Sequence, residues 1–161
     1  MKKDQLLKKL EEAWAALKES YAGLSDAQLL KPGVMGEWSV KDILGHVTTW
    51  EEESLKYLPL ILNGGRPPRY IHFGGIDAFN AQMSEQKRDV ALSAVLRQLD
   101  ETHRRLIDYL HSVPEEQFTG ETRFRRRLRL DTYSHYPLHA RAIQQWRERA
   151  LQPGKSSSIS T

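Results

Sequence analysis

Two histidines four residues apart, His135 and His139 in SHYPLHARA, are the pair in this chain best placed to do chemistry. On a helix, positions i and i+4 project from one side about 6 Å apart along the axis, near enough for both imidazoles to reach one metal ion. The same spacing also fits two ordinary histidines at a core edge, so the surrounding stripe matters. His135 and His139 line up with Ala142, Ile143 and Trp146, which predicts a pair facing inward. An imidazole buried there costs free energy unless it is hydrogen-bonded or ligated.

A third ligand has to come from another helix. His46, in GEWSVKDILGHVTTWE, lies beside Ile43 and Trp50 at the margin of an apolar stripe, a placement that suits a cleft wall. Three neutral imidazoles would form a facial site with coordination positions left for water or substrate. A divalent ion held that way acts as a Lewis acid or activates a water. Zinc, nickel and iron all suit imidazole, so the ligands leave the ion's identity open. The chain has no cysteine, which excludes a disulfide framework, a thiolate cluster and a cysteine nucleophile.

The elements that must position these residues read as helices. Leu6, Leu7, Leu10, Trp14, Leu17 and Tyr21 recur at three or four residues and predict a first helix from about Lys3 to Gly23. LSDAQLLKPGVMGE is rich in turn and capping residues and reads as an irregular connection. Ser39 is a good N-cap with Asp42 in the first turn, opening a helix to about Leu62 with Val40, Ile43, Leu44, Val47 and Ser54 inward and Pro59 loosening its last turn. NGGRPPRYIHFGG, from Asn63 to Gly75, predicts a long loop of the kind often tied to function. A third helical region starts near Ile76, with a break near Asp89, and ends around Ser112 ahead of Pro114. The last helix contains HYPLHARAIQQWRERA, starting at Ser134 or, with a kink, near Asp131, because Pro137 belongs in a first turn. RFRRRLRL alternates briefly and reads as a short extended lead-in.

Four amphipathic helices without a sustained strand pattern predict an all-α four-helix bundle with long connections, residues 1–152 forming one domain and residues 153–161 a disordered Ser-rich tail. No run of about 20 apolar residues could span a bilayer, and no secretory leader is visible, so a cytoplasmic protein is expected. The formal charge of +3 is modest, but five arginines fall between Arg123 and Arg129. Such a patch either binds phosphate or is simply a solvated face, and the second reading is the default.

GEWSVKDILGHVTTWE, with IDAFNAQ and later DTYSHYPLHARAIQQW, resembles the DinB/YfiT-like superfamily, especially its ClbS/DfsB-like branch, over roughly Lys3 to Arg149. The resemblance implies a four-helix bundle of unusual helix order with His46, His135 and His139 as a metal triad. It further implies thiol-dependent transfer or, as in the ClbS-like branch, hydrolysis of a reactive cyclopropane in a genotoxin. A low-molecular-weight thiol is then an expected co-substrate, and a homodimer is reasonable.

Bland explanations suffice for most other candidates. His103 sits in the middle of an apolar stripe and is expected to be a hydrogen-bonded core histidine. His72 is expected to be an exposed loop residue, and His111 to suit a helix C-terminus. Trp38, Trp50 and Trp146 are expected in core or cleft-wall packing, and Glu51 and Glu52 as surface carboxylates. Asn80, within IDAFNAQ, has no assigned role. Three functions compete on this reading: a metal-dependent hydrolase or transferase acting on a small electrophile, a bundle that sequesters a small-molecule ligand, and a nucleic-acid binder using the arginine run.

Overall fold

In a computed structural model, which describes residues 1–151, the chain folds into helices throughout, and the proposed tail at 153–161 lies outside the described residues. Four long helices form the bundle: α1 (Lys3–Ser20), α3 (Val40–Leu62), α5 (Leu92–His111) and α8 (Tyr136–Ala150). Shorter helices fill the connections: α2 (Asp26–Leu29), α4 (Ile76–Lys87), α6 (Glu116–Thr119) and α7 (Arg123–Asp131), with a single 3-10 turn at Tyr70–Phe73. No described helix is long and apolar enough to cross a membrane.

The helix starts follow from local chemistry. Ser39 Oγ accepts from the Asp42 amide at 3.1 Å while Asp42 Oδ2 accepts from the Ser39 amide at 2.9 Å, a reciprocal cap that satisfies two otherwise free donors and fixes the start of α3. Gly74 and Gly75 have φ of 93° and 106°, values that disfavour a residue with a Cβ, and so turn the long loop into α4. The expected break near Asp89 divides the third helical region into α4 and α5.

RFRRRLRL corrects the expectation of an extended lead-in, because it is helical. Thr122 caps it, its hydroxyl accepting from the Arg125 amide at 3.0 Å, and Phe124 and Leu128, four apart, are both buried. α7 then stops at Asp131. Thr132 leaves helical geometry (φ −130°, ψ −93°), and α8 begins at Tyr136 with Pro137 in its first turn, later than either expected start.

α3 packs along α5, α7 and α4, and α1 packs along α8. The predicted inner stripes supply the core: Leu6, Leu10 and Leu17 from α1, Ile43, Leu44 and Val47 from α3, Leu99 and Leu106 from α5, and Ile143 and Trp146 from α8 are all buried. Each such aliphatic side chain contributes about 1.5–3 kcal/mol through burial. The result is a rigid frame with α3 at its centre, between the two elements that carry the remaining polar groups of interest.

Candidate metal centre and cavity

His46 projects from the second turn of α3, His135 sits at the N-cap of α8, and His139 is one turn further on. The three side chains meet. His135 Nε2 lies 3.0 Å from His46 Nε2 and 2.9 Å from His139 Nε2, and the three ligand nitrogens fall within 4.8 Å of one another. Nitrogens bound to one ion at about 2.1 Å and about 90–109° apart are separated by about 3.0–3.4 Å, and the two separations made by His135 are close to that spacing.

Protonation favours the same fit. Burial, together with the neighbouring rings, holds His46 down to about 3 and His139 to about 2, with Lys87 adding to the effect at His46. Burial likewise brings His135 to about 4, although the Asp131 carbonyl pulls the other way. All three rings are therefore neutral at pH 7. A thioether sulfur can accept a hydrogen bond but not donate one, so the 3.2 Å contact between His139 Nδ1 and Met35 Sδ assigns the ring proton to Nδ1. His139 Nε2 thus offers a lone pair to the meeting point. His135 Nδ1 is buried with no hydrogen bond, the Asp131 carbonyl falling outside bonding geometry. A cluster of imidazole nitrogens turned toward each other with too few protons to bridge them is the donor set a cation satisfies.

The three histidines form one wall of a cavity of about 460 Å³. Trp38, Trp50 and Tyr70 provide aromatic walls, and Met35, Ile76, Leu130 and Leu138 aliphatic ones. Asn80, Arg127 and Asp131 complete the lining. Trp50 Nε1 donates to Asn80 Oδ1 at 2.9 Å, which gives Asn80 a role that the sequence left open. Arg127 lies within 6 Å of the rings of Trp50, Tyr57 and Tyr70, close enough for cation–π attraction. It also donates from Nε to Asp131 Oδ2 at 2.6 Å and from Nη2 to the Tyr70 hydroxyl at 2.6 Å. Ser54, the polar member of the stripe predicted for α3, donates to Asp131 at 2.6 Å.

Behind the cavity lies a second polar cluster. Glu51 is completely buried, which corrects its expected surface placement, because α3 turns this position toward α5 and α8 rather than toward solvent. Its Oε2 receives hydrogen bonds from His103 Nδ1 at 2.8 Å and from the Tyr136 hydroxyl at 3.0 Å, while Oε1 has no partner. His103 also meets Glu11 through Nε2 and stacks on Trp14, ring centroids 3.7 Å apart. His103 is thus the hydrogen-bonded core histidine expected. Burial opposes its charge most strongly, but the two carboxylates outweigh it and raise its pKa, whereas burial pushes Glu51 up. Glu52 and His72 are exposed as expected, His111 is the last residue of α5, where a helix C-terminus was expected, and Trp146 is in the core.

The sequence reading missed Tyr70, Arg127 and Asp131. Asp131 precedes His135 by the same four residues that separate His135 from His139, and that extended spacing is the signal that could have found it. The arginine run resolves mostly into structural contacts. Arg123 donates to the Gly65 carbonyl, Arg125 to the Gly120 carbonyl, and Arg127 to Asp131 and Tyr70.

Known proteins place this architecture. The crystal structure of the colibactin self-resistance protein ClbS in complex with a dsDNA superposes with a TM-score of 0.79 at 16% identity, covering 94% of this chain and 98% of that one. The sibling lethal factor precursor DfsB gives 0.78 at 14% identity, again over 94% and 98%. An uncharacterised protein from Escherichia coli UTI89 gives 0.73 at 13% identity, over 91% and 93%. At these identities the likeness concerns the fold. No curated protein matches the sequence significantly. The sequence profile of the DinB superfamily matches residues 9–148, and the chain belongs to that superfamily.

Proposed function

We propose that the protein is a metal-dependent enzyme of the hydrolase or transferase class acting on a small electrophilic compound, with His46, His135 and His139 holding one divalent ion. The observation that carries this reading is the convergence of three neutral imidazoles on one point beside a ligand-sized cavity. When bound, the ion would supply Lewis-acid polarisation of a substrate group on its open side. Met35 fixes the tautomer of His139, so that ring needs no rearrangement to bind. Trp38 and Trp50 line the same cavity as the histidines, and apolar walls of this kind strengthen an electrostatic interaction made against them. Zinc, nickel or iron fits the donor set. A low-molecular-weight thiol would serve as co-substrate on the transferase branch of the reading. The name of the ClbS neighbour, a self-resistance protein, supports a protective role against a reactive small molecule.

Elemental analysis of protein purified without an affinity tag should find about one metal per chain. His139→Ala should lose metal and turnover of reactive epoxides or cyclopropanes together, assayed with and without thiol. Turnover that survives complete metal removal would refute the mechanism. Ligand capture without turnover is a second reading, favoured by the apolar mouth of the cavity, where Leu130 and Leu138 are exposed. Stoichiometric ligand binding without product would select it. DNA binding, suggested by the ClbS complex, is weakened here because Arg123, Arg125 and Arg127 are engaged within the protein.

A further inference from the structure

Most of the large apolar side chains exposed among the described residues gather at the mouth of the cavity. Ile76, Leu130 and Leu138 line it and are 54%, 63% and 53% exposed. Ile71, at 71%, follows the lining residue Tyr70 in the 3-10 turn, and Phe73 ends that turn at 41% with its ring 5.0 Å from that of Phe79. An exposed apolar cluster of this kind marks a surface that meets another. A small ligand inside the cavity does not cover Ile71, which is not part of the lining.

Charge identifies the partner. On α7 the exposed Arg126 stands one turn before Leu130, and on α8 the exposed Arg141 follows Leu138 by three residues, so each leucine shares its helix face with an arginine. Arg69, also exposed, is the N-cap of the turn that carries Ile71. Residues 63–75, α7 and α8 as far as Arg147 carry no exposed acid, although Asp77 adjoins Ile76 and Glu37 adjoins Trp38. A second copy related by a two-fold axis would set this cationic rim against itself. Duplex DNA offers phosphates to the arginines but little apolar surface to Ile71 and Leu130. An anionic bilayer answers both, because aliphatic side chains enter the boundary between headgroups and acyl chains while arginines stay at the phosphates. We propose that the mouth of the cavity is a docking face for an anionic phospholipid surface, with Ile71, Ile76, Leu130 and Leu138 inserted into one leaflet and Arg69, Arg126 and Arg141 on its headgroups. This is attachment to a bilayer, since no described helix is built to cross one. The docking face does not depend on the metal. If the cavity is also the ligand site, as the proposed function has it, compounds dissolved in the acyl chains reach it without passing through water.

Co-sedimentation of the full chain with vesicles, of phosphatidylcholine alone or mixed with phosphatidylglycerol, provides the test. The protein should bind the mixed vesicles, bind the neutral ones weakly, and lose affinity as salt is raised. Arg126→Ala should weaken binding about fivefold, the scale of one arginine at an anionic surface, and Leu130→Glu about tenfold or more, both with unchanged circular dichroism. Arg104→Ala removes the same charge from an exposed position on α5, which does not line the cavity, and should have no effect. No binding to mixed vesicles, or equal losses from Arg104→Ala and Arg126→Ala, would overturn the proposal. So would duplex DNA binding that Arg126→Ala weakens and Leu130→Glu does not, or a dimer in sedimentation velocity that Leu130→Glu disperses. Vesicle binding should be the same before and after chelation. Binding by protein that never holds metal leaves this inference standing while the metal reading fails, and stoichiometric metal with turnover in a protein that ignores vesicles means the reverse.

Discussion

Tyr136→Phe is the sharpest test of the buried cluster, because it removes one oxygen and almost no volume. In the native protein the Tyr136 hydroxyl donates to Glu51 Oε2 at 3.0 Å, and both residues are completely buried. Glu51 Oε1 already lacks a partner, so the carboxylate would be left with His103 alone. A hydrogen bond to a charged group contributes about 1.5–3 kcal/mol, and water cannot readily replace it at a site this closed. For a domain of this size each kcal/mol shifts Tm by about 2–4 °C, so the variant should melt about 3–12 °C lower. Urea unfolding followed by circular dichroism should give the same loss with an unchanged m-value. A double-mutant cycle isolates the pair: in a Glu51→Gln background the acceptor is neutral, and Tyr136→Phe should cost roughly half as much. A loss below about 0.5 kcal/mol, or an equal loss in both backgrounds, would refute the assignment of Glu51 as the charged acceptor.

Other perturbations follow from the same geometry. Asp131→Ala should destabilise by about 3–5 kcal/mol, since it strands the largely buried Arg127 guanidinium and frees Ser54, whereas Arg126→Ala on the exposed face of α7 should stay within about 0.5 kcal/mol in denaturant titration. Leu106→Ala, at a fully buried site on α5, should cost about 2–5 kcal/mol by the same assay. In metal-free protein His46, His135 and His139 have depressed pKa values of about 3, 4 and 2, so the unfolded chain takes up protons near pH 6.5 while the folded chain does not. Stability present above about pH 6.5 should therefore be lost as the pH falls toward 4, and a urea midpoint constant from pH 7 to 5 would contradict this. His103 has the opposite sign. Its raised pKa gives a contribution fully present below about pH 6.5 and lost only as the pH rises through the folded value.

The long helices were legible because their apolar residues recur at helical spacing and their caps are local: Leu6 to Leu17 and the Ser39/Asp42 pair needed no tertiary information. The three histidines were legible for a related reason, since two share a turn of α8 and the third sits on an α3 whose orientation the apolar stripe fixes. α7 was not, because five arginines hide the Phe124 and Leu128 pair and make an alternating segment resemble a strand, while the deciding Thr122 cap lies just outside it. Glu51 was misread because a carboxylate next to Glu52 and Glu53 looks solvated. Only the approach of His103 and Tyr136 from two other helices makes its burial tolerable. Arg127 and Asp131 were invisible as a cavity wall because their positions depend on where α7 ends.

The break at Thr132 divides labour between two adjoining helices. The histidines of α8 belong to a turn that begins after the break, whereas Arg127, Leu130 and Asp131 precede it on α7. Because the two segments are not one continuous rod, a side chain exchanged on the cavity side of α7 leaves the axis of α8, and with it the register of His135 and His139 with His46, in place. A lineage built on this frame could exchange the molecules it accepts by rewriting Arg127 and Leu130 on the cavity side of α7, while keeping the buried Phe124 and Leu128 that seat the helix and leaving its imidazole cage intact.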